Sequence, residues 1–226
     1  VKVSFHPGQF TVLASDTPDI VDRSIDEFEY HVNMARWMGF GKSFQDGCKI
    51  NVHISGRQGP AGIIKAIPRL SPEARNLLTI ENDEMGWGLE SSLELEKHCA
   101  LVLDIHHHWV RTGEYIQADD DRVKRVVDSW RGVRPTMHYS YSRDEWLTPA
   151  YPNAEDMHKG FHDMETLLSK GCKKQKLRAH SELLPNRAVN EWALSFLPNL
   201  DIQVEAKMKN QAAEQLHTQA EELGLV

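Results

Sequence analysis

Short runs of Val, Ile and Leu alternate with amphipathic, helix-like segments along the whole 226-residue chain, and this alternation narrows the possible folds more than any other feature. The runs are VSFHPG, INVHIS, LLTIEND, LVLDIHHH, TMHYS and DIQVEAK. A few β-branched residues between turn signals, followed by a helical period, is how a buried parallel strand with its crossover helix looks in sequence. Each run also ends in a histidine or a carboxylate: His6, His53, Glu81, Asp104 with His107, His138, and Glu205. In a TIM-type (β/α) barrel, strand ends of one kind open on a single face, so these side chains are expected to converge. A lone histidine at a strand end is more often a hydrogen-bonded structural residue than a ligand. Recurrence in all six runs is another matter, because such a group at the end of an apolar strand costs free energy unless it is paired or bound to a cation. The pattern points to a metal cluster.

With 40% hydrophobic residues and no break in composition, residues 1–226 read as one domain. A complete eight-stranded barrel takes about 250 residues, and six strand–helix units already use nearly all of this chain. The expectation is therefore a partial barrel lacking its first two strand–helix units, in a chain that begins part-way through a longer protein, since Val1 opens directly on a strand. Such a barrel would leave the backbone edges of its first and last strands unpaired, so the chain alone is expected to be poorly soluble or incompletely folded.

The net charge of −7 argues mildly against a nucleic-acid partner, although bound divalent ions would reverse the sign around acidic ligands. Lys170, Lys173, Lys174, Lys176 and Arg178 form a basic cluster that reads as a solvated loop, with contact to a phosphate backbone as the alternative. Cys48, Cys99 and Cys172 make no C-x-x-C pair, which fits a reducing, intracellular setting: cytoplasm and nucleoid, or a nucleus or organelle in a eukaryote. No apolar run reaches the ~20 residues of a membrane span, and no membrane partner is expected.

Asp16, Thr17 and Pro18 start a helix over 16–40 that Gly39 and Gly41 close, with His31 inside its apolar pattern as a structural residue. A strand over 48–55 leads to a loop bearing Arg57, then to helices near 61–67 and 72–77, the second with Ser71 as N-cap and Pro72 at its first position. Further strands are expected over 77–82, 100–105, 135–139 and 201–206, and helices near 89–98, 158–169, 186–196 and 209–222. HHHWVRTGEY reads as a loop running to a helix that opens at Asp119, Asp120 and Asp121, whose charges suit a helix N-terminus. Asp104 and His107 would then stand where a strand turns into a loop, and one of His106 and His108 would orient a ligand through a hydrogen bond.

Mixed imidazole and carboxylate donors suit zinc or manganese, which generate hydroxide near neutral pH and polarise a phosphoryl oxygen. HPGQF, LVLDIHHHW, HYS, HSE and VEAK, in series with IEND, resemble the UV damage endonuclease family over nearly the whole chain and in the same order. The resemblance implies a TIM barrel with two or three divalent metal ions, manganese being the usual one and zinc or magnesium the alternatives. It implies incision of damaged double-stranded DNA immediately 5′ of a UV photoproduct, by a protein that is a monomer when complete. Carried over residue by residue, it places metal ligands at His6, His53, Glu81, Asp104, His107, His138, His180 and Glu205, with Glu81, Asp104, His138 and Glu205 at the catalytic centre. By similarity to the related trinuclear apurinic-site nucleases, Glu81 would bridge two ions, one also held by His6 and His53, the other by Asp104, His138 and Glu205. His107 and His180 would hold the third.

Gln9 and Phe10 match the pair that, in this family, probes the duplex at the damaged dinucleotide. An amide and an aromatic ring beside a metal cluster suit a wedge, because a poorly stacked lesion makes extrusion less costly. The competing reading is that Phe10 is an ordinary core residue under its loop, since Val12 and Leu13 follow directly. Arg57 is the candidate phosphate contact. Two departures stand out. Thr136 occupies the position where some members carry a lysine modified to a carbamate, so the third ion is expected to bind more weakly; and the strands expected to be missing would carry a metal-site histidine and an aromatic residue.

Two rival functions stay open at this point. A sugar-phosphate isomerase or epimerase on such a barrel also gathers Glu, Asp, His and Glu around one ion, but leaves His6, His107 and His180 without a role. A catalytically impaired DNA-damage binding module would bind without cutting.

Overall fold

A computed structural model describes residues 2–226. Along the chain, the first elements are β1 (Ser4–Phe5), α1 (Pro18–Trp37), β2 (Lys49–His53), α2 (Gly59–Ala66), α3 (Pro72–Leu77), β3 (Leu78–Glu81), α4 (Leu89–Leu93) and β4 (Ala100–Val102). Next come α5 (Ile105–Thr112), α6 (Asp121–Ser129), β5 (Thr136–Tyr139), α7 (Asp144–Leu147), α8 (Ala154–Met157) and α9 (Met164–Ser169). The last are α10 (Lys174–Leu177), α11 (Arg187–Leu194), β6 (Asp201–Val204) and α12 (Asn210–Glu222). The chain divides into two compact units: the first takes everything up to Leu103 together with Asp121–Pro135, the second Asp104–Asp120 together with Thr136–Val226.

In the first unit the strands form a parallel sheet in the order β1-β2-β3-β4. Successive side chains of a strand point to opposite faces, so Ile50 and Val52 share one face of β2 while Asn51 and His53 share the other. Strand β3 repeats the pattern with Leu78 and Ile80 against Thr79 and Glu81. The register pairs Asn51 with Thr79 and His53 with Glu81, which puts all four polar residues on one face. Helices α1 and α3 pack on β2, α4 on β3 and α6 on β4. They contribute Phe28, Val32, Ala35, Leu77, Leu93 and Val126, all buried, each large side chain worth roughly 1.5–3 kcal/mol of apolar burial. Ser71 caps α3 as expected, accepting from the Ala74 amide at 3.2 Å, and Pro18 opens α1. His31 is structural: its Nδ1 lies 2.9 Å from the Glu27 carbonyl one helical turn back.

Lys49 opens β2 yet is only 4% exposed. Its ammonium donates to the carbonyls of Phe44 (2.6 Å) and Asn76 (3.1 Å) and lies 4.0 Å from the centre of the Phe44 ring. Burial lowers its pKa from 10.5 to about 8. At pH 9 an unfolded Lys49 still holds a proton that the folded one has released, so the unfolded state binds more protons and stability rises with pH. The rise runs from about pH 8 to about 10.5 and amounts to at most about 3 kcal/mol, at ~1.4 kcal/mol per pH unit. Urea denaturation at several pH values is expected to show this slope in the wild type and not in Lys49→Met; equal slopes would mean that Lys49 titrates normally.

In the second unit β5 and β6 pair in parallel, Thr136 with Asp201 through Tyr139 with Val204. On the other side of β5, Asp104 makes an isolated parallel bridge to His138. Two buried side chains of this unit are bonded: the Tyr139 hydroxyl donates to Asn190 Oδ1 (2.7 Å) and the Trp192 indole to the Ile116 carbonyl (2.8 Å).

Three expected elements are corrected. HHHWVRTGEY is not a loop, because α5 begins at Ile105 and ends at Gly113, whose φ of +80° closes the helix. The expected helix over 158–169 is helical only in its second half, as α9, since Asp163 starts that helix afresh by accepting from the Thr166 amide at 2.7 Å, and α8 lies before the expected range. Within the basic cluster, Lys174 and Lys176 lie on α10 rather than in a loop, and Lys176 stacks 4.5 Å over the Trp146 ring. All three cysteines are buried free thiols, and burial pushes Cys99 up to about 12, which leaves it unreactive.

Candidate metal centre

His6 follows β1, and His53 and Glu81 end β2 and β3, so the three residues at one end of the first unit's sheet are the ones the sequence pattern picked out. His6 Nε2 is 3.3 Å and His53 Nε2 3.9 Å from the same oxygen, Glu81 Oε2. One donor atom from each of the three lies within 4.8 Å of the others. Bonds of ~2.0–2.2 Å to a shared ion put donor atoms no more than ~4.4 Å apart, so the set fits one divalent cation after a small side-chain movement. Glu81 is completely buried. A carboxylate so placed needs compensation, which the two imidazoles and the Asn51 amide, donating to Oε2, provide.

Two carboxylates of the following loop, Asp83 and Glu84, were not singled out in the sequence. Asp83 Oδ2 lies 3.6 Å from His53 Nδ1, and its Oδ1 accepts from the backbone amides of Met85 (2.8 Å) and Gly86. Burial would raise the Asp83 pKa, but His53 and the two amides outweigh it and hold the carboxyl at about 2. A carboxylate behind an imidazole is the arrangement that fixes the ring of a metal ligand. Glu84 is 3% exposed and brings an oxygen within 4.8 Å of a His53 nitrogen. Their signal was position alone: both lie in the loop that directly follows Glu81.

Gln9 and Phe10 ride a turn closed by the Thr11 amide on the Gly8 carbonyl (3.0 Å). Phe10 is 83% exposed, which overturns its reading as a core residue. Arg57 is also exposed and lies 3.4 Å from Asp16, an exposed pair of the kind that contributes at most about 1 kcal/mol.

In the second unit Asp104 is an N-cap: its Oδ1 accepts from the His107 amide at 2.6 Å and so fixes the start of α5. Three consecutive histidines on a helix are turned ~100° apart and meet different partners. His107 Nε2 faces Asp104 Oδ2 at 3.7 Å. His106 sits between the hydroxyls of Ser140 (2.8 Å) and Ser142 (3.0 Å), and burial drives its pKa well below the usual histidine range, so the ring is neutral. His108 Nε2 is 2.9 Å from Glu114.

The Glu205 amide donates to the Tyr139 carbonyl (2.8 Å), extending the β5–β6 ladder past β6. That step brings Glu205 Oε1 to 3.3 Å from His138 Nδ1. Donor atoms of Asp104, His138 and Glu205 lie within 4.8 Å of one another, again the spacing of a single-ion site. An antiparallel bridge between Ser142 and His180 places His180 Nδ1 4.0 Å from Glu205 Oε2, with its ring 6.3 Å from that of His107. Thr136 lies on β5 two residues before His138, hence on the same face.

A family model described as UV-endonuclease UvdE matches residues 1–225. Among curated relatives, the UV-damage endonuclease of Schizosaccharomyces pombe is 26% identical over 227 residues, covering 95% of this chain and 33% of that protein. The UV DNA damage endonuclease of Bacillus pumilus is 30% identical over 168 residues, covering 70% of this chain and 50% of the other. A solved structure titled "Crystal Structure of SacUVDE" matches with a TM-score of 0.72 at 23% identity, over 100% of this chain and 67% of that one. At that identity the likeness shows the fold, an α/β architecture of the TIM-barrel type, of which this chain has six strands among its described residues. The chain spans from 25% to 61% of the length of the first curated relatives it matches.

Proposed function

The chain belongs to the UV-endonuclease UvdE family, and from that premise we propose that it is a metal-dependent DNA repair endonuclease that incises duplex DNA immediately 5′ of UV photoproducts. The observation that carries this reading is the gathering of imidazole and carboxylate donors into a single-ion spacing in each unit: His6, His53 and Glu81 in the first, Asp104, His138 and Glu205 in the second. His107 beside Asp104, and His180 beside Glu205, offer the donors for a further ion. Bound divalent ions, manganese foremost and zinc or magnesium otherwise, supply Lewis acidity toward a phosphodiester and a water made acidic enough to act as hydroxide near neutral pH.

The residues of the chain hold this chemistry in place. Asp83, 3.6 Å behind the His53 ring, would help orient it, and the cap on α5 fixes Asp104. The reaction is hydrolysis to a 3′-hydroxyl and a 5′-phosphate. A single-ion isomerase would use one group of donors and leave the other without a purpose.

Gln9 and Phe10 act on the substrate rather than on the ions. An aromatic ring held out in solvent on a short turn suits insertion into a base stack, and Arg57, also exposed, suits a phosphate. Phe10→Ala is expected to lower incision of damaged duplex about 10- to 100-fold, the equivalent of one lost stacking contact of ~1–3 kcal/mol. Its melting temperature should stay that of the wild type, because so exposed a ring adds little to the core. Undiminished incision would remove Phe10 from the substrate contact.

The whole reading is tested on an end-labelled duplex carrying one cyclobutane pyrimidine dimer, with manganese and with chelator. Cutting just 5′ of the dimer, abolished by the chelator, is the expected result. A folded, metal-loaded protein that binds the duplex and leaves it intact would instead be a damage-binding module.

A further inference from the structure

On the sheet face that carries His53 and Glu81, a second layer of polar side chains lies two residues back along each strand: Asn51 on β2 and Thr79 on β3. The two are register partners, and both are buried. Parallel strands covered on both faces ordinarily fill such positions with Val, Ile or Leu, as these strands do at Ile50, Val52, Leu78 and Ile80. A buried amide and hydroxyl in their place cost free energy unless they are bonded.

Their bonds run in one direction. Thr79 Oγ1 donates toward Asn51 Oδ1 at 3.0 Å, and Asn51 Nδ2 donates to Glu81 Oε2. That oxygen is the one facing His6 and His53. The carboxylate, which only accepts, determines which way the amide points, since turned over Asn51 would set its carbonyl oxygen against it; the Thr79 hydroxyl, with the Ile50 carbonyl at 3.5 Å as its other acceptor, then meets the amide oxygen.

We propose that Asn51 is a positioning residue which, supported by Thr79, holds Glu81 in the rotamer that aims Oε2 at the His6–His53 pair. This rests on the metal-centre reading of those three residues. Glutamate has three rotatable side-chain bonds, and a carboxylate already fixed by an amide loses little further freedom when a cation arrives. Without the amide that ordering would have to accompany binding, and supporting partners of this kind change metal affinity by ~10- to 100-fold.

The test titrates manganese alone into the metal-free protein by calorimetry, alongside thermal melts. Asn51→Leu, close in size and unable to donate, is expected to weaken the tightest manganese binding about 10- to 100-fold. Thr79→Val, which removes only the hydroxyl, should weaken it by a smaller factor, and Thr79→Ser should restore it. On the dimer-bearing duplex, Asn51→Leu should lower kcat with KM unchanged. A merely structural role would lower the melting temperature of the metal-free protein while a folded variant kept wild-type manganese affinity, and that result overturns the proposal. Should Asn51→Leu not fold, Thr79→Val decides on the same criterion. A wild-type protein that takes up no manganese would remove the metal centre itself, and the positioning role with it, whereas equal affinities in wild type and variant would remove the positioning role only.

Discussion

Glu81→Gln is expected to reduce incision of dimer-containing duplex by about a thousandfold or more while the protein stays folded. The substitution keeps the shape of the side chain and removes its charge. Glu81 is wholly buried and is the one carboxylate of the His6, His53 and Glu81 group. A thousandfold corresponds to about 4 kcal/mol of transition-state stabilisation, within the several kcal/mol that metal-assisted charge neutralisation supplies. The metal-free protein should melt at the wild-type temperature or higher, because a buried charge stabilises a fold poorly and the Asn51 amide can donate to a glutamine oxygen as well. Glu205→Gln should behave alike for the group in the second unit. Activity within tenfold of wild type in either variant would show that its carboxylate does not serve the reaction.

The largest effect on stability is expected from Gly56→Ala. Gly56 has a φ of +101°, and a Cβ there would stand 2.3 Å from the carbonyl carbon and oxygen of Ala14. No small movement of a flexible side chain relieves that clash, since both atoms belong to the backbone. The unfavourable φ costs about 1–2 kcal/mol and the overpacking about 1–3 more, so a loss near 3 kcal/mol is expected. For a chain of this size that is a melting temperature lower by about 6–12 °C. The neighbouring bonds would loosen as well: the Gln58 amide to the Ala14 carbonyl (2.9 Å), the Gln58 side chain to the Ser15 carbonyl (2.7 Å) and the Trp87 indole to the Gly56 carbonyl (2.7 Å). The two Gln58 bonds fasten the loop bearing Arg57 to the segment that follows Phe10, and the Trp87 bond ties it to the loop after β3. A drop of less than about 2 °C would mean that the two loops separate without cost.

Much of the site was legible because a strand end announces itself twice, by the apolar run that stops and by the polar residue that stops it. His6, His53, Glu81, His138 and Glu205 all have this form, and the strands fall within a residue or two of their expected ends, except β4, which stops three residues early at Val102. Asp104 and His107 were singled out by the same rule, but the helix that Asp104 caps and that carries His107 was not. A run of three histidines carries no strong helical period, and the useful signals were the Asp104 cap and Gly113, eight residues of helix apart. Asn51 and Thr79 escaped notice because a single neutral polar residue inside an apolar strand looks like an interruption; only the register shows that the two meet. The exposure of Phe10 depends on how the chain turns after Gly8, which the apolar residues that follow it concealed.

The cap on α5 also bears on how Asp104 would meet a cation. One carboxylate oxygen, Oδ1, is already engaged by the His107 amide, which leaves Oδ2, turned toward the His107 ring, as the oxygen to offer a cation. Cations that favour a two-oxygen grip on a carboxylate, as calcium does, would have to share Oδ1 with the cap. Ions content with one oxygen and neighbouring imidazoles, such as manganese or zinc, would not. The backbone of α5 would thus weigh against a two-oxygen grip at Asp104, independently of ionic size.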